Sequence, residues 1–125
     1  MLNGAFAQDK KCVAVYDSII QKEVYLLPEE NAEYPNGGTS RLLSYLSTNL
    51  NLPKDCFGYT KIYFNLVVNE NGIAAFSKLI KPANDAFIIT ELTRIINQMP
   101  IWKPAKCNGK NVYQKLSLPI NIHLK

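Results

Sequence analysis

Few residues in this chain can do covalent chemistry, and their spacing keeps them apart. Nucleophilic catalysis needs a base within reach of a serine or cysteine. The one histidine, His123, stands two residues from the end of the sequence, in a stretch that alternates like a strand. Alternation makes it an exposed strand residue rather than a base. Cys12, Cys56 and Cys107 are far apart, no CxxC is present, and a single histidine cannot complete a structural zinc set. An odd number of cysteines gives no disulfide framework. The carboxylates form no spaced pair, and neither GxGxxG nor GxxxxGK occurs. The reading is of a protein that is not an enzyme, with no catalytic residue, no metal ligand set, no cofactor and no small-molecule substrate.

What remains is chemistry of recognition. Phe57, Tyr59, Tyr63 and Tyr113 are candidates for base stacking on a sheet, but the aromatic motif of RNA-binding sheets is missing. Net charge is +4 and unevenly spread, with five Lys/Arg against seven Asp/Glu up to Thr60 and nine against three from Lys61 onward. The basic residues are scattered singly, without a polybasic run, which reads as a solvated face rather than a nucleic-acid surface. Trp102, the single tryptophan, sits between Pro100 and Pro104. It either covers one end of a core or anchors a partner.

The elements that must position these residues can be traced along the chain. With 125 residues, 47% hydrophobic and 19% charged, the composition fits one globular domain. No apolar run reaches the ~18 residues that a membrane-spanning helix needs. Ala5-Phe6-Ala7 has the form of a secretory cleavage site. Either the chain begins inside a longer precursor's signal or the match is chance. Residues 9–30 hold one or two short strands, rich in Val and Ile. Tyr34-Pro35-Asn36-Gly37-Gly38 is a turn cluster. A helix follows, capped by Thr39 or Ser40, with Leu42, Leu43, Leu46 and Leu50 on one stripe and Pro53 at its close.

Thr60 to Asn69 alternates, with Ile62, Phe64, Leu66 and Val68 on one face. Asn71-Gly72 is a hairpin signal, and Ile73 to Ile80 returns as the second strand. A second helix spans about Ala86 to Met99, with Ile88, Leu92, Ile95, Ile96 and Met99 together. The last strand places Leu116, Leu118, Ile120 and Ile122 on one face and Tyr113, Lys115, Ser117, Pro119, Asn121 and His123 on the other. The order predicts an α+β, two-layer domain, a three-stranded antiparallel sheet with two helices on one face plus a possible extra N-terminal strand. The C-terminal strand pairs with the first hairpin strand and forms a sheet edge. That topology sets the starts of these two strands at opposite ends of the sheet, so no bond is expected between Cys56 and Cys107.

Three segments together resemble the C-terminal domain of TonB-type energy transducers, in the version seen in Bacteroidetes. They are Glu33-Tyr34-Pro35-Asn36-Gly37-Gly38, the hairpin at Asn69 to Gly72, and Met99-Pro100-Ile101-Trp102-Lys103-Pro104 running through Asn108-Gly109-Lys110 to Leu118-Pro119-Ile120-Asn121. The resemblance covers residues 33–125, and Glu23 to Glu30 fits a weak upstream strand. It divides the chain into a 1–22 segment, a possible signal remnant, and a 23–125 TonB C-terminal-like domain. Ala105 stands where the family has Gly, and Asp55-Cys56-Phe57-Gly58 replaces its usual helix end. The transducer's transmembrane helix and Pro-rich spacer are not seen in this sequence. The resemblance therefore implies a periplasmic recognition module that binds an extended segment of an outer-membrane transporter by strand addition. The residues it points to are Tyr113, Lys115, Ser117 and Asn121 on the edge strand, with Tyr34 and Trp102 in the loops.

A sheet edge offers unpaired N–H and C=O groups, so main-chain pairing alone can hold a partner. Proline has no N–H and is tolerated where that group would face outward, which sets Tyr113, Lys115, Ser117 and Asn121 toward the free edge. The added strand is expected mainly along Tyr113 to Ser117, with Lys115 favouring an acidic partner residue. Lys115 and Pro119 also fit the protection of an ordinary edge, and the same edge could pair with a second copy. The alternative to transport is thus a stand-alone structural or self-associating envelope domain.

Overall fold

The computed structural model describes residues 12–51 and 61–121. Ala5-Phe6-Ala7, Pro53, Cys56, Phe57, Tyr59, Ile122 and His123 lie outside the described residues. In chain order the elements are β1 (Val13–Asp17), β2 (Lys22–Leu27), α1 (Gly38–Asn49), β3 (Lys61–Val68), β4 (Ala74–Lys81), α2 (Ala86–Asn97), β5 (Ala105–Cys107), β6 (Lys110–Val112) and β7 (Gln114–Asn121). None of the described helices is long and apolar enough to cross a membrane.

The class is α+β, with one five-stranded sheet in the order β1-β2-β7-β3-β4 and a small β5-β6 hairpin. β3 lies between β7 and β4, and both of its faces have something to bury. Ile62, Phe64, Leu66 and Val68 are fully buried toward the helices, while Asn65 and Val67 are buried on the opposite face. β3 meets β7 in eight antiparallel pairs from Lys61↔Asn121 to Val68↔Gln114. On its other side it pairs with β4 antiparallel, with register shifts after Tyr63 and after Asn65. Those irregularities are bulges of the kind the uneven pattern of Ile73 to Ile80 suggests.

Both helices close the same core. Leu42 and Leu46 of α1 and Ile88, Leu92, Ile95 and Ile96 of α2 join Ile62, Phe64, Leu66, Val68 and Ile120 in one cluster, with Leu116 and Leu118 packed against it. The Tyr45 hydroxyl of α1 donates to the Ile95 carbonyl of α2 at 2.6 Å. Asp85 caps α2, its Oδ1 accepting from the Ile88 N–H at 3.1 Å. α1 starts differently from the expectation of a Thr39 or Ser40 cap. Its N-cap is Gly37 at φ 140°, with no side-chain cap bond. The Tyr34 carbonyl accepts from Gly38 N–H at 3.1 Å, so the turn runs straight into the helix.

The three-stranded antiparallel sheet with β7 at its edge needs correction. The sheet is mixed and has five strands, because residues 13–27 form a complete hairpin and β2 lies parallel to β7. The turn that makes this hairpin is built by Asp17, whose Oδ1 accepts from Ile19 N–H at 2.8 Å and Ile20 N–H at 3.3 Å. Gln21 completes it at φ 57°. No glycine or Asn-Gly marks the turn, so the stretch reads from sequence as undecided.

Candidate recognition edge

β7 carries Lys115, Ser117 and Asn121 of the residues picked for partner binding, with Tyr113 immediately before it, and its outer side is not free along its whole length. Tyr25 of β2 stands opposite Gln114, and its N–H donates to the Tyr113 carbonyl at 2.8 Å. That bond places the Tyr113 carbonyl on the side away from β3, as the parity argument requires. It also means that the start of the expected docking stretch is already paired. The pairing is brief. Tyr25↔Gln114 is the single register pair between the two strands. Residues 29–33 run instead against the tryptophan loop, where Glu33 and Lys103 exchange two backbone bonds of 2.9 Å. Beyond Lys115, the outer side of β7 through Ser117 and Asn121 has no strand beside it among the described residues.

Lys115 does not point at a vacant edge. Its ammonium lies 3.2 Å from Asp17 Oδ2, an ion pair off the line of a hydrogen bond. Burial pushes the Asp17 carboxyl up, but the N–H groups of Ile19 and Ile20 and the Lys115 charge outweigh it and hold the group below its ordinary value. The expected preference for an acidic partner residue is therefore corrected, since Lys115 already has its counter-ion inside the chain. Ser117 and Asn121 are exposed. The Ser117 hydroxyl donates to Asn65 Oδ1 at 2.6 Å, which ties β7 to β3 across the open face.

Tyr34 and Trp102 are brought together, but as core. Their rings meet edge-on at 5.5 Å, and Trp102 is 3% exposed. Burial pushes the Tyr34 phenol up, with Tyr45 adding to the rise and Arg41 opposing it. Trp102 closes one end of the core, and its backbone N–H donates to the Gly72 carbonyl at 2.8 Å. Beside this pair lies a cavity of about 500 Å³, walled by Leu42, Leu116 and Leu118 as well as the two aromatics. Glu33 and Lys103 also line it.

Three residues matter here to which the sequence reading gave no role. Gln114 is almost fully buried and holds the chain after β2 in place, accepting from Ala32 N–H at 2.7 Å and donating to Asn31 Oδ1 at 2.9 Å. Its signal was present, as a polar residue in the apolar phase of a strand. Asp17 is the second. Cys12 is the third, and it corrects the reading that an odd cysteine count gives no disulfide framework, being bonded to Cys107 with Cα atoms 6.4 Å apart across 95 positions of sequence. Glu29 offers a carboxylate beside the two sulfurs, but the sulfurs are spent on each other. The chain matches no family model, no curated protein and no solved structure.

Proposed function

We propose that this chain is a periplasmic protein–protein recognition module that takes an extended segment of an outer-membrane transporter by strand addition along β7. The observation that carries the reading is the outer side of β7. It is pinned by β2 at one pair and has no strand beside it from Ser117 to Asn121 among the described residues. Backbone groups in a row, next to exposed side chains, are a template for main-chain pairing. The resemblance of the Tyr34 turn, the Trp102 loop and the final strand to TonB C-terminal domains supports the same reading. The activity is binding, with no chemical step. Each backbone bond gained contributes about 1 kcal/mol net, and Pro119 withholds one. An antiparallel segment therefore needs more of β7 than Ser117 to Asn121 alone, which places it in competition with β2.

Titration of transporter-derived extended peptides into the ¹⁵N-labelled chain tests this. Shifts and new amide protection at Lys115, Ser117 and Asn121 are expected. The same changes along Ala74 to Lys81, or none at any concentration reached, would refute strand addition on β7. A second reading, self-association, has its own observation. Val13, Val15 and Tyr16 are exposed on β1, the outer strand of the sheet. A dimer that forms through β1 and ignores the peptides would favour it.

A further inference from the structure

The β1–β2 hairpin is held down by ties of an unusual kind for a sheet element. Its apolar side chains contribute little burial, since Val13, Val15, Tyr16, Ile19, Leu26 and Leu27 are all exposed. Only Val24 and Asp17 are buried among residues 13–27. What fastens it is one backbone pairing at Tyr25, the Asp17–Lys115 ion pair, the Lys22 ammonium 5.5 Å from the Tyr113 ring, and a covalent bond. Cys12 immediately precedes β1, and its disulfide to Cys107 fixes the open end of the hairpin to the β5-β6 turn. All four ties end on Tyr113, Lys115 or Cys107, of which Lys115 lies in β7, Tyr113 immediately before it and Cys107 at the end of β5.

We infer that the β1–β2 hairpin is a strap lying in cis on the edge that a partner strand would use, latched by the Cys12–Cys107 disulfide. Opening the latch frees β7. The inference rests on strand addition at β7 as the function. The opening step is thiol–disulfide exchange with a dithiol reductant. A thiolate of the reductant attacks the sulfur of Cys12, the less buried of the two, and the S–S bond breaks. The second thiol of the reductant then closes on the mixed disulfide. Two electrons pass to the chain, Cys12 and Cys107 take up two protons as thiols, and the reductant leaves as its own disulfide. Without the covalent tie, β2 keeps one register pair on β7, and local opening becomes frequent. The apparent affinity for an added strand then rises in proportion to the open fraction.

The test compares the oxidised chain, the chain reduced with dithiothreitol, and Cys12→Ser, first without any peptide. Amide exchange at Tyr25, Ile19 and Ile20 is expected to accelerate at least about tenfold in both unlatched forms, with Ile62 to Val68 unchanged as the check on folding. Cys12→Ser separates this latch from any effect of reductant on Cys56. Unchanged protection at Tyr25 overturns the strap. Peptide titration then separates the two ideas. Binding about tenfold tighter in the unlatched forms supports both. Equal binding in all three forms keeps recognition and overturns the strap. Loosened Tyr25 with no binding in any form overturns recognition and leaves the latch standing. If Cys12→Ser fails to fold, Tyr25→Pro removes the bridging N–H with the disulfide intact, and is expected to tighten binding without reductant. No tightening in Tyr25→Pro overturns the strap.

Discussion

The two sides of β7 are held by different physics. Toward β3 it makes eight consecutive antiparallel pairs, and the side chains between them are buried under two helices. Toward β2 it makes one parallel pair, beside a hairpin whose apolar groups face solvent. On the first side, pairing and burial reinforce each other, and each pair brings apolar surface out of water. On the second, almost nothing apolar is buried, so the contact depends on an ion pair and a disulfide. An interface of the first kind opens only with the fold. One of the second kind can open by itself, which is what a regulated edge requires.

The largest effect that would sharpen this contrast comes from the β3 side. Phe64 is fully buried at the middle of that strand and stacks against Phe76 at 6.4 Å between ring centroids. Phe64→Ala is expected to cost about 3–5 kcal/mol in denaturant unfolding, through lost burial and the cavity left behind. The transition should remain single and global. If instead only the hairpin loosened, the division between the two sides would be misplaced.

A smaller effect is expected at Gly72, where the β3–β4 turn meets the tryptophan loop. Gly72 has φ 84°, and a Cβ there would collide with the Trp102 carbonyl and the Ile101 side chain. The Gly72 carbonyl also accepts from Trp102 N–H. Gly72→Ala combines a disfavoured backbone with a clash against main chain, and should cost about 2–3 kcal/mol. Its signature in ¹⁵N spectra should centre on Trp102 and the turn, leaving Tyr25 protected. Loss of protection at Tyr25 equal to that at Trp102 would show the two sides to be coupled through the loop.

The same contrast explains what was legible from sequence. Alternation at Ile62, Phe64, Leu66 and Val68, the stripe at Ile88, Leu92, Ile95 and Ile96, and Asp85 as a cap are short-range patterns with one physical solution. They give the α+β class and the β4-β3-β7 order correctly. The β1–β2 side depends on contacts that no local pattern announces. Asp17 makes a turn with a side chain, where glycine is the usual sign. The Cys12–Cys107 bond joins residues that three cysteines alone cannot pair. Of the edge residues, Tyr113 has its carbonyl on the side of β7 away from β3, but the sequence does not show that Tyr25 reaches it, or that Asp17 takes up Lys115. Trp102 was legible as a cover for one end of the core, whereas Tyr34, picked as a loop residue for partner binding, is buried against it.

The smallest and most selective effect is expected from Asp17. Its Oδ1 shapes the turn and its Oδ2 faces Lys115, so Asp17→Asn keeps an acceptor for Ile19 and Ile20 while removing the charge. The Lys115 side chain is 24% exposed and can reach water, so the loss should be about 1–2 kcal/mol rather than that of a fully buried pair. Acid should do the same to the native chain. The folded carboxyl titrates below its ordinary value of 3.8, so its contribution is present above that value and disappears as pH falls through the lowered one. Amide exchange followed down to acidic pH should show Ile19, Ile20 and Tyr25 opening before Phe64 and Leu66. In Asp17→Asn those three amides should be loose at neutral pH, with the acid step at the hairpin gone. A hairpin that opens only together with Phe64 and Leu66, in both proteins, would mean that β7 has one kind of side and not two.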